Sequence, residues 1–259
     1  MGEVHPSAVV DPRAKLAGDV AIGAYAMVGP DVELAEGVQL GPHALVTGRT
    51  SVGPRTRIFP FAVVGEEPQD KSFDREASEL RIGADNVIRE HCSIHTGTRK
   101  GGRVTCLGDD NLLMNSVHVG HDAQIGSHCI LASFSGVAGH VRVEDHAVLG
   151  AYTGVHQFCR IGESAMLAGG SKCAQDVPPF ALVHGDRATL KGLNRIGLRR
   201  RGFSPAQLRA VHHAYHLIFY SRLRLEPALA RVREELAGSP EVERLVRFLE
   251  SSSRGFCRT

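Results

Sequence analysis

The sequence predicts a parallel β-helix followed by a small C-terminal α-helical domain. From Val4 to Cys173, with two interruptions, every sixth residue is Leu, Ile or Val, except for Cys173 itself. The fifth residue of each hexad is usually small, as at Ala26 and Ala44. A six-residue period is typical of parallel β-helices, whereas an α-helix places apolar residues three and four positions apart. The period stops near Pro178, and signals for helix starts follow.

Each hexad is expected to supply one short strand and one corner. The aliphatic first residue and the small fifth residue should point inward. Glycine is common at the second place, as at Gly23 and Gly53, where we expect it to allow unusual backbone angles at the corner. Three hexads complete a triangular coil, so residues 18 positions apart should stack at the β-ladder spacing of about 4.8 Å.

The two interruptions predict loops near residues 65–81 and 100–106. The first segment is too polar and charged to fill a coil, and the second contains the extra residues Lys100 to Arg103. Long loops that leave a compact scaffold often carry function.

The C-terminal region is expected to be helical. Ser204 and Pro205 read as an N-cap and a first helical residue, and further helices are predicted over Glu226–Ala237 and Glu241–Ser251. The predicted domains are therefore a β-helix over residues 1–185 and a helical domain over 186–259.

Composition predicts a soluble, cytoplasmic protein with an anionic partner. No long apolar run predicts a transmembrane segment, no signal peptide is evident, and the six cysteines lack the spacing of a metal site. The net charge is +2, but residues 191–259 contain 14 Lys and Arg against 6 Asp and Glu. A basic region attracts acidic partners. No groove-reading motif or interleaved aromatic pattern indicates nucleic acid.

Histidines are concentrated in one part of the predicted stack, where six of the 14 lie between His118 and His156. Steps of 18 residues place polar groups on two neighbouring columns: His121, Gly139 and Gln157 on one, and Asp122, His140 and Phe158 on the other.

This set of side chains suits acyl transfer. His121 can act as a general base on a hydroxyl, and Asp122 can orient its ring. The Gly139 amide can bind a developing oxyanion. Two alternatives remain: a zinc site of the γ-carbonic anhydrase type through His118, His121 and His140, and a structural solenoid without chemistry.

Several segments resemble the UDP-N-acetylglucosamine acyltransferases that begin lipid A synthesis. The six-residue form itself is similar to the left-handed β-helix of hexapeptide acyltransferases. The matching segments are GEEPQD at 65–70, IREHCSIHTGT at 88–98, GDDNLLMNSVHVGHD at 108–122, VHQFCRIG at 155–162, LAGGSKCAQDVPP at 167–179 and LRRRGFS at 198–204.

The resemblance implies a homotrimer with active sites between neighbouring prisms. It implies an (R)-3-hydroxyacyl donor on acyl carrier protein, the acceptor UDP-N-acetylglucosamine, and no cofactor beyond the carrier's own phosphopantetheine. By resemblance, the catalytic residues are the base His121 with Asp122 and Gly139. The residues expected to contact the sugar nucleotide are Asp70, His118, His140, His156 and Gln157, and those expected to contact phosphate or phosphopantetheine are Asn194, Arg200 and Arg201. Gly169 matches the family position that limits acyl length, and glycine there favours a long chain. A related N-acyltransferase with an amino acceptor remains the alternative enzyme.

Two positions depart from the family pattern. Ser72 stands where the family usually has lysine, with Lys71 one place early, and Ile196 stands where glutamate is common. Successive side chains in an extended segment face opposite ways, so Lys71 is not expected to replace the missing lysine.

Overall fold

The computed structural model describes residues 2–259, which form a left-handed parallel β-helix and a C-terminal group of helices. Up to Cys173, consecutive strands fall in three sheets in turn, so each coil contributes one strand to each sheet. We number the sheets in the order in which the chain visits them. The first corner joins the first sheet to the second, the second corner joins the second to the third, and the third corner joins the third back to the first.

The strands are short and regular. The first sheet contains β1 (Val9–Val10), β4 (Met27–Val28), β7 (Leu45–Val46), β10 (Val63–Glu66), β13 (Ser93–His95), β16 (His118–Val119), β19 (Gly136–Val137), β22 (Gly154–Val155) and β25 (Lys172–Cys173). The second contains β2 (Lys15–Leu16), β5 (Val32–Leu34), β8 (Arg49–Val52), β11 (Glu79–Ile82), β14 (Val104–Leu107), β17 (Gln124–Ile125), β20 (Arg142–Val143) and β23 (Arg160–Ile161). The third contains β3 (Ala21–Ile22), β6 (Gln39–Leu40), β9 (Arg57–Ile58), β12 (Val87–Ile88), β15 (Leu112–Leu113), β18 (Ile130–Leu131), β21 (Val148–Leu149), β24 (Met166–Leu167), β26 (Ala181–His184) and β27 (Thr189–Leu193).

The register confirms the stacking predicted from the period. Gln124 pairs with Arg142, and Arg142 pairs with Arg160, so neighbours in the ladder are 18 residues apart. The inward positions are also confirmed, because Ile58 and Leu131 at first places are at most 1% exposed and Ala44 at a fifth place is 0% exposed. Interior packing of this kind removes apolar surface from water along the whole prism.

The role predicted for the second-place glycines is wrong. Positive φ angles occur at the fourth place of the hexads, on side chains such as Tyr25 (57°) and His43 (57°). Gly23 and Gly53 lie outside the left-handed region. A Cβ on Gly53 would lie 2.5 Å from the carbonyl carbon of Gly83 in the next coil. At Gly53, glycine is needed because two successive coils approach closely there.

The third sheet continues past the predicted boundary at residue 185, because β27 pairs antiparallel with β26. Four helices follow within the described chain: α1 (Arg195–Arg200), α2 (Pro205–Tyr215), α3 (Leu225–Glu235) and α4 (Pro240–Glu250), with a π-helical turn at His216–Tyr220 after α2. The Ser204 N-cap is confirmed, since Ser204 and Gln207 form a reciprocal capping box. Helix α1 is not foreseen by the sequence pattern.

The chain end returns to the prism. The Cys257 amide donates to the Asp176 carbonyl at 2.8 Å, and Asp176 in turn donates to Gly255 at 2.9 Å. No helix within residues 2–259 has the length and apolar character needed to cross a membrane.

The close approach of coils at second-place glycines predicts a measurable stability cost. A Cβ on Gly108 would lie 2.7 Å from the Gly126 carbonyl oxygen, whereas one on Gly154 would have nothing within 4 Å. Gly108→Ala should lower the free energy of unfolding by about 1–3 kcal/mol through overpacking. Gly154→Ala should be neutral or stabilising by about 0.4–1 kcal/mol. Equal denaturation midpoints for the two variants would contradict this account.

Candidate active site

Both interruptions of the period open at the first corner. One loop connects β10 to β11 and the other connects β13 to β14, so both pass from the first sheet to the second. His121 and Asp122 lie between β16 and β17, at the same corner. The histidine columns and both predicted loops therefore meet on one edge of the prism.

His121 and Asp122 form a hydrogen-bonded pair. The His121 Nδ1 lies 2.8 Å from Asp122 Oδ2, and the side chains are 15% and 0% exposed respectively. Burial acts to raise the pKa of Asp122, but hydrogen bonds from His121 and Thr98 outweigh it and hold the pKa below its usual value. Because the ionised carboxylate only accepts, His121 carries its proton on Nδ1, which leaves Nε2 free as a base.

Gly139 lies directly against the His121 ring. A Cβ on Gly139 would lie 2.5 Å from His121 Cε1, so any side chain would displace the imidazole. The Gly139 amide makes no hydrogen bond within residues 2–259. A free backbone N–H beside a base is the arrangement that oxyanion binding requires.

His140 stands beside the pair on the neighbouring column. Its ring lies edge-to-face with His121 at 5.0 Å and stacks on Phe158 at 4.4 Å. The Nδ1 of His140 is 3.8 Å from Asp122 Oδ2. Desolvation lowers the pKa of His140, although Asp122 acts to raise it. The structure thus places His140 next to Asp122, as the columns predict.

His118 and His95 form a second, more buried histidine pair. Their ring centroids are 5.2 Å apart, and burial lowers the pKa of both, which favours neutral rings. His118 Nδ1 lies 2.9 Å from Ser93 Oγ, and His95 Nδ1 lies 2.7 Å from the Glu67 carbonyl oxygen in the first loop. The His95 Nε2 is buried without a partner among the described residues. Sequence reasoning missed His95, which lies inside the matched segment IREHCSIHTGT.

The first loop carries Asp70, and the second loop provides a lysine beside it. The Ser72 amide and hydroxyl donate to Asp70 at 2.8 and 2.9 Å, and Lys100 Nζ donates to Ser72 Oγ at 2.9 Å. These bonds from Ser72 lower the pKa of Asp70, with smaller contributions from His121 and Lys100. An ammonium group therefore reaches this loop from Lys100, although Ser72 replaces the family lysine.

His121, Asp122 and His140 also form a group whose potential metal-ligand atoms lie within 4.8 Å of one another. This group is not the predicted zinc trio, because Asp122 takes the place of His118. Both oxygens of the Asp122 carboxylate already accept hydrogen bonds: Oδ1 accepts from the Thr98 amide, and Oδ2 accepts from Thr98 Oγ1 and His121. A carboxylate saturated in this way fits proton transfer better than metal ligation.

His156 and Gln157 continue the same corner towards the C terminus. Both side chains are exposed, and His156 Nδ1 lies 3.4 Å from Arg254 Nη2 of the chain end. Phe158 donates its amide to the Gly139 carbonyl at 3.2 Å, which fixes this coil above the base. The predicted columns are therefore complete from His121 to Phe158.

Comparison with known proteins agrees with this geometry. A family model described as bacterial transferase hexapeptide (six repeats) matches residues 107–139, and one described as UDP N-acetylglucosamine O-acyltransferase, domain 2, matches residues 176–257. An acyl-[acyl-carrier-protein]–UDP-N-acetylglucosamine O-acyltransferase from Myxococcus xanthus is 46% identical over 258 residues, covering 100% of both chains. The chain belongs to the UDP-N-acetylglucosamine O-acyltransferase family.

Solved structures of UDP-N-acetylglucosamine O-acyltransferases support the same assignment. LpxA from Acinetobacter baumannii superimposes with a TM-score of 0.96 at 41% identity, over 98% of this chain and 99% of that one. The UDP-N-acetylglucosamine acyltransferase of Francisella novicida gives a TM-score of 0.96 at 35% identity, over 99% of this chain and 94% of that one.

In this UDP-N-acetylglucosamine O-acyltransferase family member, Asn194 and Arg201 lie at the second corner rather than the first. Asn194 caps α1 by accepting from the Gly197 amide at 3.1 Å, and it donates to the Ser164 carbonyl at 3.0 Å. Arg201 donates to Glu163 at 2.7 Å and also to the Ser164 hydroxyl. Burial lowers the pKa of Arg201. Arg200 and Ile196 are exposed.

Gly169 lies at the third corner, between β24 and β25, and is exposed. A Cβ there would make only ordinary contact, at 3.4 Å from the Ala151 carbonyl oxygen. The predicted site residues of this acyltransferase therefore occupy three different corners of one prism.

The buried histidines predict a loss of stability on mild acidification. Because burial lowers the pKa of His95, His118 and His140, the unfolded chain takes up protons first as the pH falls through the unfolded value of about 6.5. The melting temperature should therefore fall between pH 8 and pH 5.5. His95→Gln should reduce this slope, and replacement of the exposed His43 by Gln should not. A melting temperature that is flat over this range would contradict the assignment.

The two adjacent arginines are expected to differ in stability. Arg201→Ala removes a half-buried donor from Glu163 and Ser164, and should cost about 1–2 kcal/mol of unfolding free energy. Arg200→Ala should change it by less than about 0.5 kcal/mol, because that side chain is exposed. Chemical denaturation of both variants measures the difference, and equal losses would show that the Arg201 contacts are not structural.

Proposed function

We propose that this protein transfers an (R)-3-hydroxyacyl group from acyl carrier protein to the glucosamine 3-hydroxyl of UDP-N-acetylglucosamine, the first step of lipid A biosynthesis. The observation that carries the proposal is the buried Asp122–His121 pair beside the free Gly139 amide. The names of the full-length relatives support the donor and the acceptor.

The reaction needs one base and one oxyanion donor. His121 Nε2 removes the proton of the sugar hydroxyl as its oxygen attacks the thioester carbonyl carbon. The tetrahedral oxyanion receives a hydrogen bond from the Gly139 amide, a contribution of about 3–4 kcal/mol for a preorganised donor. Collapse of this intermediate breaks the carbon–sulfur bond, and the departing thiolate takes the proton from His121. Asp122 stabilises the imidazolium between these two steps.

The surrounding polar groups are assigned to the sugar nucleotide. Asp70, His118 and His140 line the same corner as His121, and neutral rings at His118 and His140 can donate one hydrogen bond and accept another. His156 and Gln157 lie two coils further along, within reach of the sugar–phosphate part. Lys100 places its ammonium group beside Asp70 and Ser72, where Ser72 replaces the lysine that the family usually has.

We propose that the protein assembles as a homotrimer, and the distribution of the predicted site residues over three corners supports this proposal. A cleft between two parallel prisms brings the first corner of one protomer against another corner of its neighbour. Asn194, Arg200 and Arg201 at the second corner, and Gly169 at the third, then reach the chemistry of an adjacent protomer. An exposed glycine at the third corner leaves room for a long acyl chain.

The carrier protein is expected to dock near the C-terminal helices. A cavity of about 380 Å³ there is lined by Lys191, Arg195, His212, His216 and Tyr220, with no acidic residue in its wall. Such a surface attracts the acidic carrier. We assign the reaction to the cytoplasm, where the six cysteines stay as free thiols.

Replacement of His121 tests the chemistry. His121→Ala should lower kcat by about 10²–10⁴-fold, the usual contribution of a general base, while the oligomeric mass stays that of wild type. The exposed third-corner variant His43→Ala serves as the control and should retain activity.

The assay uses purified protein, acyl carrier thioesters of several lengths, and UDP sugars with a 3-hydroxyl or a 3-amino group, with products identified by mass spectrometry. Turnover of His121→Ala near the wild-type rate would overturn the base assignment. A product formed only from the 3-amino sugar would replace the O-acyltransferase by an N-acyltransferase.

A further inference from the structure

The Asp122 carboxylate is enclosed by the loop that connects β13 to β14. The Thr98 amide donates to Oδ1 at 2.8 Å, and the Thr98 hydroxyl donates to Oδ2 at 2.7 Å. Thr98 is itself 2% exposed. One residue therefore binds both oxygens of the carboxylate, and it shares Oδ2 with His121.

The backbone of this loop also packs directly on the carboxylate. A Cβ on Gly101 would lie 2.0 Å from Asp122 Cγ, although Gly101 is outside the left-handed region. Space, rather than backbone angle, requires glycine there. The loop is closed on Thr98, because its carbonyl accepts from the Gly101 amide at 3.1 Å and from the Arg103 amide at 2.7 Å.

Asp122 is fixed from its other side as well. Its own amide donates to Thr105 Oγ1 at 2.7 Å. The backbone and the carboxylate of Asp122 are thus held by two threonines from the preceding coil. The carboxylate has no exposed surface through which water could replace these bonds.

We propose that Thr98 is a positioning residue for the acyl transfer: it fixes the orientation of the Asp122 carboxylate and thereby the orientation and basicity of His121. The proposal rests on the proposed function, since it concerns the same base. A hydroxyl that donates to Oδ2 draws charge from the oxygen that also receives the His121 proton. Loss of this hydroxyl strengthens the pull of Asp122 on the imidazolium and frees the carboxylate to turn.

The charged and titratable groups that face His121 come from several coils and both loops. They are Asp70, His95, His118, Asp122 and His140, with Lys100 beside Asp70. Thr98 substitutions change none of these side chains, so a shift in the titration of His121 reports on the hydroxyl.

The test compares Thr98→Val with Thr98→Ser and with a matched control. Thr98→Val keeps the shape and removes the hydroxyl, and Thr98→Ser restores it. Thr56→Val removes an equally buried hydroxyl that donates to the Gly83 carbonyl at 3.0 Å and accepts from Asn86, on other coils and at a different corner.

Thr98→Val should lower kcat about tenfold with the KM for the sugar nucleotide unchanged, and should move the acid limb of the pH profile of kcat to higher pH. Thr98→Ser should recover most of kcat, and Thr56→Val should leave the profile in place. Wild-type kcat and an unmoved profile in Thr98→Val would overturn the proposal, as would the same shift in Thr56→Val.

NMR titration of the imidazole protons separates this inference from the proposed function. The His121 signal, identified by its loss in His121→Gln, should titrate at higher pH in Thr98→Val whether or not acyl transfer is observed. Absence of acyl transfer in wild type would defeat the proposed function alone. If Thr98→Val does not fold, Gly101→Ala provides the second test: it retains the hydroxyl but displaces the carboxylate, and unchanged kcat in that variant overturns the proposal.

Discussion

The hydrogen-bonded ladder between successive coils is the constraint on which the rest of the structure depends. Each strand is only a few residues long, but away from the two loops it pairs with strands 18 positions before and after it, as Arg142 does with Gln124 and Arg160. A residue's neighbours are thereby fixed by arithmetic along the chain. Gly139 meets the His121 ring, and His140 meets Asp122, because the ladder allows no other register without turning inward side chains out.

The columns at the first corner were predictable for this reason, and the contacts made by irregular segments were not. Thr98 contacts Asp122 from a loop that interrupts the six-residue period, so the 18-residue spacing does not predict that these two residues meet. The same holds for His95, whose ring is set by a carbonyl of the other loop. The contacts of Asn194 and Arg201 with Ser164, across 30 and 37 residues, were not predictable either. Only the docking of α1 on the prism determines those contacts.

The electrostatics of the corner divide its histidines into two kinds. His95 and His118 make no hydrogen bond to a carboxylate, and burial lowers the pKa of both rings, which favours their neutral forms. His121 instead donates a hydrogen bond to the fully enclosed carboxylate of Asp122. The His121 ring can therefore accept a proton during the reaction, while the neighbouring rings only form hydrogen bonds. Residues of one type commonly take different roles in this way when their surroundings differ.

The positive φ angles at the fourth place of the hexads have a consequence for how such a site can arise. Asp122 and His140 both occupy that place, with φ of 59° and 61°. Among residues with a side chain, aspartate, asparagine and histidine enter the left-handed region most readily, and β-branched residues least. The turn at this place thus admits, on grounds of backbone geometry, residue types that acid–base chemistry uses, alongside aromatic ones such as Phe158. A β-helix therefore repeats, at many corners, the backbone conformation in which Asp122 and His140 stand, and a few substitutions at one corner can build an active site there.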